Sequence, residues 1–278
     1  MNVLCFVGGL GNQMFQYAFY LSIKKRAKGL WGYDVSGSRY HHNGFELDKI
    51  FGLCKPMWLH NRLLQCVHRL GRIKVTITEQ SGIYFKEVTP IVNSIGKYVE
   101  YKGFWQSEKY FLDVEEDVRK AFHFDIYKLS EASKLVLKKI TKDSKNHVSI
   151  HVRRGDYMND PERQVCSLDY YNRAIAYIKD HVSAPIFVIF SDDINWCKTQ
   201  FGEAGDTLLY VDWNTSADSW QDMCLMSKCH HHIIANSSFS WWGAWLNDNK
   251  NKIVICPKYW NVGFPLDTDT IPMKWVRL

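Results

Sequence analysis

Arg153 and Arg154 stand side by side in the stretch HVSIHVRRGDYMND (His147–Asp160), with Asp156 two residues further on. A guanidinium is a planar fork of donors, so two of them at one point suit the oxygens of a phosphate or diphosphate. Asn236-Ser237-Ser238 places hydroxyls and free backbone N–H groups at the start of a helical pattern, a ready anion site. Gly8, Gly9 and Gly11, in GGLGNQ, allow the main chain to approach a ligand closely. Phe190-Ser191-Asp192-Asp193 adds two adjacent carboxylates. Each feature has a plain alternative: tight packing for the glycines, a helix cap for the serines, a surface ion pair for the arginines. Taken together they point to a ligand that carries a diphosphate.

Other clusters carry less. Cys224, Cys229, His230, His231 and His232 are metal-ligand types, but their spacing fits no zinc template, so no metal is expected there. Asp267-Thr268-Asp269 has the form of a metal-binding Asp-x-Asp, yet it sits in the loop FPLDTDTIP and reads as turn chemistry. An adhesive role for the RGD tripeptide would require an exposed loop on a secreted protein.

The elements that must position these residues alternate between strand and helix. NVLCFV, GGLGNQ and MFQYAFYLSIKKRAKG make a strand, a tight loop and a helix over Asn2–Ala27, closed by basic residues and Gly29. The middle is weakly patterned: Lys74–Thr78 and KYVEYKGF read as strands, and the basic stretch 55–74 as an amphipathic helix. That helix is either a solvated face or a membrane-surface element. From His147 onward, apolar runs at Val148–Val152, Ile186–Phe190, Thr207–Val211, His232–Ala235 and Lys252–Cys256 alternate with helical patterns at Leu168–Lys179, Asp218–Ser227 and Phe239–Asn247. Asp218 and Gln221 resemble a capping box. Alternation of this kind implies a parallel, doubly wound α/β sheet, and the early βα unit suggests two Rossmann-like halves joined near 125–146. Ligands of such sheets bind beyond the carboxyl ends of the strands. RRGDY, SDD, NSSFS and GGLGNQ all follow strands and are expected on one edge.

Bulk properties narrow the class. The chain has 278 residues, 46% hydrophobic and 23% charged, which is ordinary for a globular protein. Its formal charge of +6 favours an anionic partner, but the absence of a long Lys/Arg run and of any nucleic-acid-binding signature argues against nucleic acid. Eight scattered cysteines without a CxxC pair read as reduced thiols. The opening MNVLCFVGGLGN has no basic leader and too short an apolar run to span a bilayer, so a cytoplasmic protein is expected.

GGLGNQMFQYA, HVRRGDY, FSDD with Trp196-Cys197 after it, and NSSFSWWGAWL resemble the motifs of the inverting α-1,2-fucosyltransferases, glycosyltransferase family 11. GFWQSEKYF (Gly103–Phe111) resembles a further segment of that family, so the likeness runs from residue 8 to residue 246. The resemblance implies a GT-B-like fold: two Rossmann-like domains facing each other across a cleft, an acceptor-side domain over 1–145 and a GDP-fucose-binding domain over 146–278. It implies GDP-β-L-fucose as donor, no metal or other cofactor, and the 2-hydroxyl of a galactose-containing oligosaccharide or lipid-linked glycan as acceptor. That would serve O-antigen or surface-polysaccharide assembly, with possible peripheral contact with the inner membrane leaflet through 55–74. By the same resemblance Arg153, Arg154, His151, Ser237, Ser238, Gly9 and Gly11 hold the nucleotide, Asp222 reads the guanine edge, and Asn12 lies near the reaction centre. Asp156 is the candidate general base, and its alternative role is to pair with an arginine and fix that rotamer. Two other functions remain open: a metal-dependent glycosyltransferase using Asp192/Asp193 or Asp267/Asp269, and a noncatalytic nucleotide-sugar-binding protein.

Overall fold

The computed structural model describes residues 1–38, 42–54, 73–79, 84–91, 97–142, 146–266 and 268–278. Most of the basic stretch 55–74 and Asp267 lie outside the described residues. The chain divides into two compact units, Met1–Phe124 and Asp125–Leu278.

In the first unit four parallel strands, β1 (Asn2–Cys5), β2 (Trp31–Asp34), β3 (Ile73–Thr78) and β4 (Lys97–Lys102), lie in the order β2-β1-β4-β3. The helix Leu10–Arg26 follows β1 and buries Met14, Phe15, Ala18, Phe19 and Ile23, a stripe at helical spacing. Lys24, Lys25 and Arg26 in its last turn face the negative end of the helix dipole. Phe19 stacks on the fully buried Trp105 with ring centroids 4.0 Å apart, joining the helix to the chain leaving β4. Strand β1 has β2 on one side and β4 on the other, so the winding direction reverses at its carboxyl end.

The second unit holds a six-stranded parallel sheet: β5 (Asn146–Val152), β6 (Pro185–Ser191), β7 (Leu208–Val211), β8 (His231–Ile233), β9 (Val254–Cys256) and β10 (Val276–Arg277). Its spatial order is β7-β6-β5-β8-β9-β10, the order of the doubly wound dinucleotide-binding fold, with the switch point between β5 and β8. Val148, Ile150 and Val152 turn one face of β5 into the core built with Tyr170, Tyr171, Ala174 and Ile178 of the helix Leu168–His181. The opposite face carries His147, Ser149 and His151, all buried. Ser149 Oγ meets His232 Nδ1 at 2.8 Å, which supplies the partner a buried hydroxyl needs.

Several expectations change. The stretch read as a joint contains the helix Glu131–Lys142, which packs in the second unit against the helix Trp220–Met226, so the compact units meet at 124/125 rather than at 145. Asp218 belongs to a 3-10 turn (Ser216–Asp218) and does not cap a helix; its Oδ1 accepts from the Gln221 side chain at 3.4 Å. The strand expected at His232–Ala235 ends at Ile233, leaving Ile234–Ser237 as the exit turn. Trp241, Trp242 and Trp245 are packed together inside the unit, with centroid separations of 5.0 to 6.0 Å, so these tryptophans are core.

Candidate functional site

Because every strand of the second sheet runs the same way, the turns after β5, β6 and β8 emerge on one edge. These are Arg153–Tyr157, Ser191–Asp193 and Asn236–Ser238, three of the four turns expected together. The fourth, GGLGNQ, follows β1 of the other unit and therefore belongs to a different sheet edge.

The arginines are held by carboxylates from two turns. Arg153 gives Nη2 to Asp156 Oδ1 at 2.6 Å and Nη1 to Asp192 Oδ2 at 2.8 Å. Arg154 gives Nε to Asp193 Oδ2 at 2.9 Å, while its guanidinium carbon sits 4.4 Å from the Trp196 ring centroid. Arg163 extends the cluster, 3.0 Å from Asp160 and 3.9 Å from Asp156. Asp156 thus adopts the pairing geometry rather than that of a free carboxylate. Asp192 and Asp193 each pair with a guanidinium, at 2.8 and 2.9 Å. Gly155 makes room for Asp192: a Cβ there would lie 2.6 Å from Asp192 Oδ2 and displace that carboxylate.

The switch point is closed by Asn236. Its carbonyl accepts from Tyr157 Oη at 3.1 Å, its Nδ2 donates to the Arg163 carbonyl at 3.0 Å, and its Oδ1 takes the Cys166 thiol at 3.5 Å. Ser237 Oγ caps the helix Ser238–Trp245 by accepting from Phe239 N at 3.3 Å, so its own O–H can still be donated. Both readings of the serine turn, cap and anion site, fit one geometry. Among the described residues no group of three or more His, Cys, Asp or Glu is arranged to hold a metal.

His151, at the end of β5, is buried with its carbonyl taken by Tyr171 Oη at 3.1 Å, and its Nδ1 has no partner. Burial, reinforced by the Arg153 charge, pushes its pKa down to about 3, so the ring stays neutral. Asp222, in the short helix Trp220–Met226, is also buried, and burial pushes its carboxyl up to about 7 against the opposing effect of the Asn214 amide. Asn214 Nδ2 donates to Asp222 Oδ1 at 2.7 Å and reaches Ser133 Oγ at 3.1 Å.

In the first unit, the glycine turn is fixed by two buried glutamines. Gln16 accepts from Val7 N at 3.1 Å and donates to Gly103 O at 3.0 Å, tying the β1 exit to the β4 exit. Gln13 donates to Gly8 O and Gly44 O, each at 2.8 Å, and accepts from Glu46 N at 2.9 Å. Gly8 combines φ +80° with a virtual Cβ 2.5 Å from Asn12 Nδ2, so no other residue fits without rearrangement. Gly9 lies against the His42 ring, and Gly11 is buried inside the helix. Asn12 Oδ1 accepts from Gln106 Nε2 at 2.7 Å. The two glutamines, Gln106, Tyr157 and Trp196 stand inside the segments recognised in the sequence, but nothing in their types or spacing announced these partners.

A model of the Glycosyl transferase family 11 matches residues 79–278, more than half of the chain. The chain belongs to glycosyltransferase family 11. Two proteins of Escherichia coli are similar to this family member along nearly its whole length. One is an alpha-1,2-colitosyltransferase, 35% identical, with 98% of this chain and 96% of the relative aligned. The other is the O-antigen biosynthesis glycosyltransferase WbnK, 32% identical, with 99% of each chain aligned. Among solved structures, POFUT1 in complex with GDP covers 90% of this chain and 95% of that one, at 11% identity and a TM-score of 0.50. That likeness concerns the fold, and the fold class of this family 11 chain is the α/β GT-B type, with a parallel sheet in each unit.

Proposed function

We propose that this glycosyltransferase moves L-fucose from GDP-β-L-fucose, with inversion, to the 2-hydroxyl of a galactoside in O-antigen or another surface polysaccharide. The observation that carries the reading is the arginine pair at the switch point of a doubly wound sheet, beside a serine-capped helix start on the neighbouring strand. As the C1–O bond of the donor sugar breaks, the largest new charge is on the departing diphosphate. Guanidiniums and N–H groups already aimed at that charge lower the barrier without reorganising. Asp222 supplies a carboxylate suited to the N1–H and 2-amino group of guanine. The fixed cations at the arginines do what a divalent ion does elsewhere, so the reaction is expected to need no metal or other cofactor. Full turnover in excess EDTA is the check.

The colitosyltransferase relative favours a second reading on a specific ground: its alignment spans nearly the whole chain. Colitose is L-fucose without its 3-hydroxyl, so both donors present the same leaving group and differ at one contact. The deciding experiment supplies purified protein with GDP-fucose or GDP-colitose and a panel of β-galactosides, in EDTA, and identifies the product linkage by NMR. An α-1,2-fucosyl product supports the first reading, and colitosyl transfer alone supports the second. Nucleotide binding without turnover of either donor would leave a binding protein. No helix of the described residues is long and apolar enough to cross a membrane. We place the protein in the cytoplasm, touching the inner leaflet at most peripherally, and liposome flotation tests that contact.

A further inference from the structure

Asp192 reaches both members of the arginine pair. Its Oδ2 lies 2.8 Å from Arg153 Nη1, and its Oδ1 accepts the Arg154 backbone N–H at 2.8 Å. We propose that Asp192 is a positioning residue for diphosphate binding: it sets the plane of the Arg153 guanidinium and the direction in which the chain carries Arg154. The inference rests on the nucleotide-diphosphate reading above and deepens it by naming the group on which the anion site depends.

The donor inventory makes the arrangement productive. A guanidinium has five N–H donors. Arg153 commits one to Asp192 and one to Asp156, and Arg154 commits one to Asp193, so both keep several for an anion. A free arginine would have to give up rotamer freedom on binding; these two have already given it up. The sequence also accommodates Asp192 specifically, because any side chain at position 155 would collide with its carboxylate.

Asp192 and its neighbour are not equivalent. Asp193 also supports local structure, since its Oδ1 caps the helix Ile194–Phe201 by accepting from Trp196 N at 3.2 Å, and its own N–H donates to Ser191 Oγ at 2.9 Å. Among the described residues, the side-chain bonds of Asp192 go to the two arginines. Replacing Asp192 therefore leaves the cap of that helix in place, whereas replacing Asp193 removes it.

The test measures GDP and GMP binding by calorimetry in EDTA for the unaltered protein, Asp192→Ala and Asp192→Asn, with a thermal melt of each. GMP shares the guanine and one phosphate but lacks the second, which the arginines are expected to hold. The expected result is that Asp192→Ala melts normally, binds GMP as before and loses at least tenfold in GDP affinity. Asp192→Asn keeps an acceptor for the Arg154 N–H and recovers part of that loss. An unchanged GDP-to-GMP ratio in Asp192→Ala would overturn the proposal, and so would a parallel loss of both affinities, which indicates general damage. If the unaltered protein itself shows no preference for GDP over GMP, the diphosphate reading fails and takes this proposal with it.

Discussion

Asp222 accepts a 2.7 Å hydrogen bond from Asn214, and this is the bond that opposes the full effect of burying its carboxyl. With its pKa raised to about 7, Asp222 changes charge around neutral pH.

On the proposed reading, in which Asp222 accepts from the guanine edge, only the ionised form serves, so nucleotide binding should strengthen as pH rises. For a group titrating near 7, the competent fraction grows about tenfold between pH 6 and pH 8. The GDP dissociation constant, measured by calorimetry across that range, should tighten by about that factor beyond what Asp222→Asn shows, since the variant keeps only the pH dependence of the terminal phosphate, which titrates at about pH 6. The same pH dependence in both proteins would remove Asp222 from the site.

Stability should fall at acid pH for a different reason. Burial lowers the pKa of His151, His231 and His232 below the usual histidine value, and holds the fully buried His151 and His232 neutral. A base with a depressed folded pKa contributes stability that is present above its unfolded pKa and lost as pH falls. The unfolded chain takes up those protons below pH about 6.5, the folded chain does not. Asp222 has the opposite sign, because its raised pKa makes the folded state bind the extra proton between pH about 4 and 7. Glu46 and Glu79, whose carboxyls burial also raises, share the sign of Asp222. The histidines lower Tm as pH falls and the three carboxyls oppose them, so His151→Gln should flatten the acid limb of the Tm profile. Asp222→Asn should steepen that limb; a shallower one would mean that the Asp222 carboxyl is not raised.

The alternating strands of the second unit's parallel sheet are legible in the sequence because they are buried on both faces and read as continuous apolar runs, as in Ile186–Phe190; their spatial order is not. Strand β2, WGYD, is not, since four residues with a glycine among them carry no period. The helix Glu131–Lys142 has regular apolar spacing, but it lies between the two repeating patterns and so reads as their joint. In the candidate site, residue types single out Arg153, Arg154 and the serine turn, which the fold brings to one sheet edge. Their partners are not legible: Asp192 lies 38 residues from Arg154, and only tertiary folding joins them. The same holds for GGLGNQ, which reads as sharing an edge with the other turns because periodicity does not say which sheet a strand enters.

Gln16 bridges Val7 and Gly103 from a fully buried position. Gln16→Leu keeps the volume but strands a backbone N–H and two carbonyls away from water. The cost should be on the order of 2–4 kcal/mol in urea unfolding. The same change at an exposed glutamine such as Gln164 should fall within about 0.5 kcal/mol. Comparable costs at the two positions would show that the bridge contributes nothing.

Arg153→Ala and Arg154→Ala should each lower kcat/KM by roughly 3 kcal/mol or more, over a hundredfold, if each serves the leaving diphosphate. Lysine should not restore Arg153, because one ammonium cannot satisfy two carboxylates and a phosphate in a single plane, nor Arg154, whose planar group pairs with Asp193 while lying over Trp196. Steady-state kinetics that stay within threefold of the unaltered protein in both alanine variants would end the case for the anion site.

Asp156 has two roles open to it that the sequence leaves equal. As a general base it would deprotonate the acceptor hydroxyl, and Asp156→Asn would lower kcat while GDP binding stayed intact. As an anchor it holds Arg153 Nη2 at 2.6 Å, with Arg163 3.9 Å from its second oxygen. Asparagine would weaken that anchor, so GDP affinity and kcat should fall together. The paired geometry favours the anchor, and the expected outcome is a loss in both. Retained GDP affinity with kcat reduced a hundredfold or more would instead return the base role to Asp156, which would then have to release Arg153 when the acceptor binds.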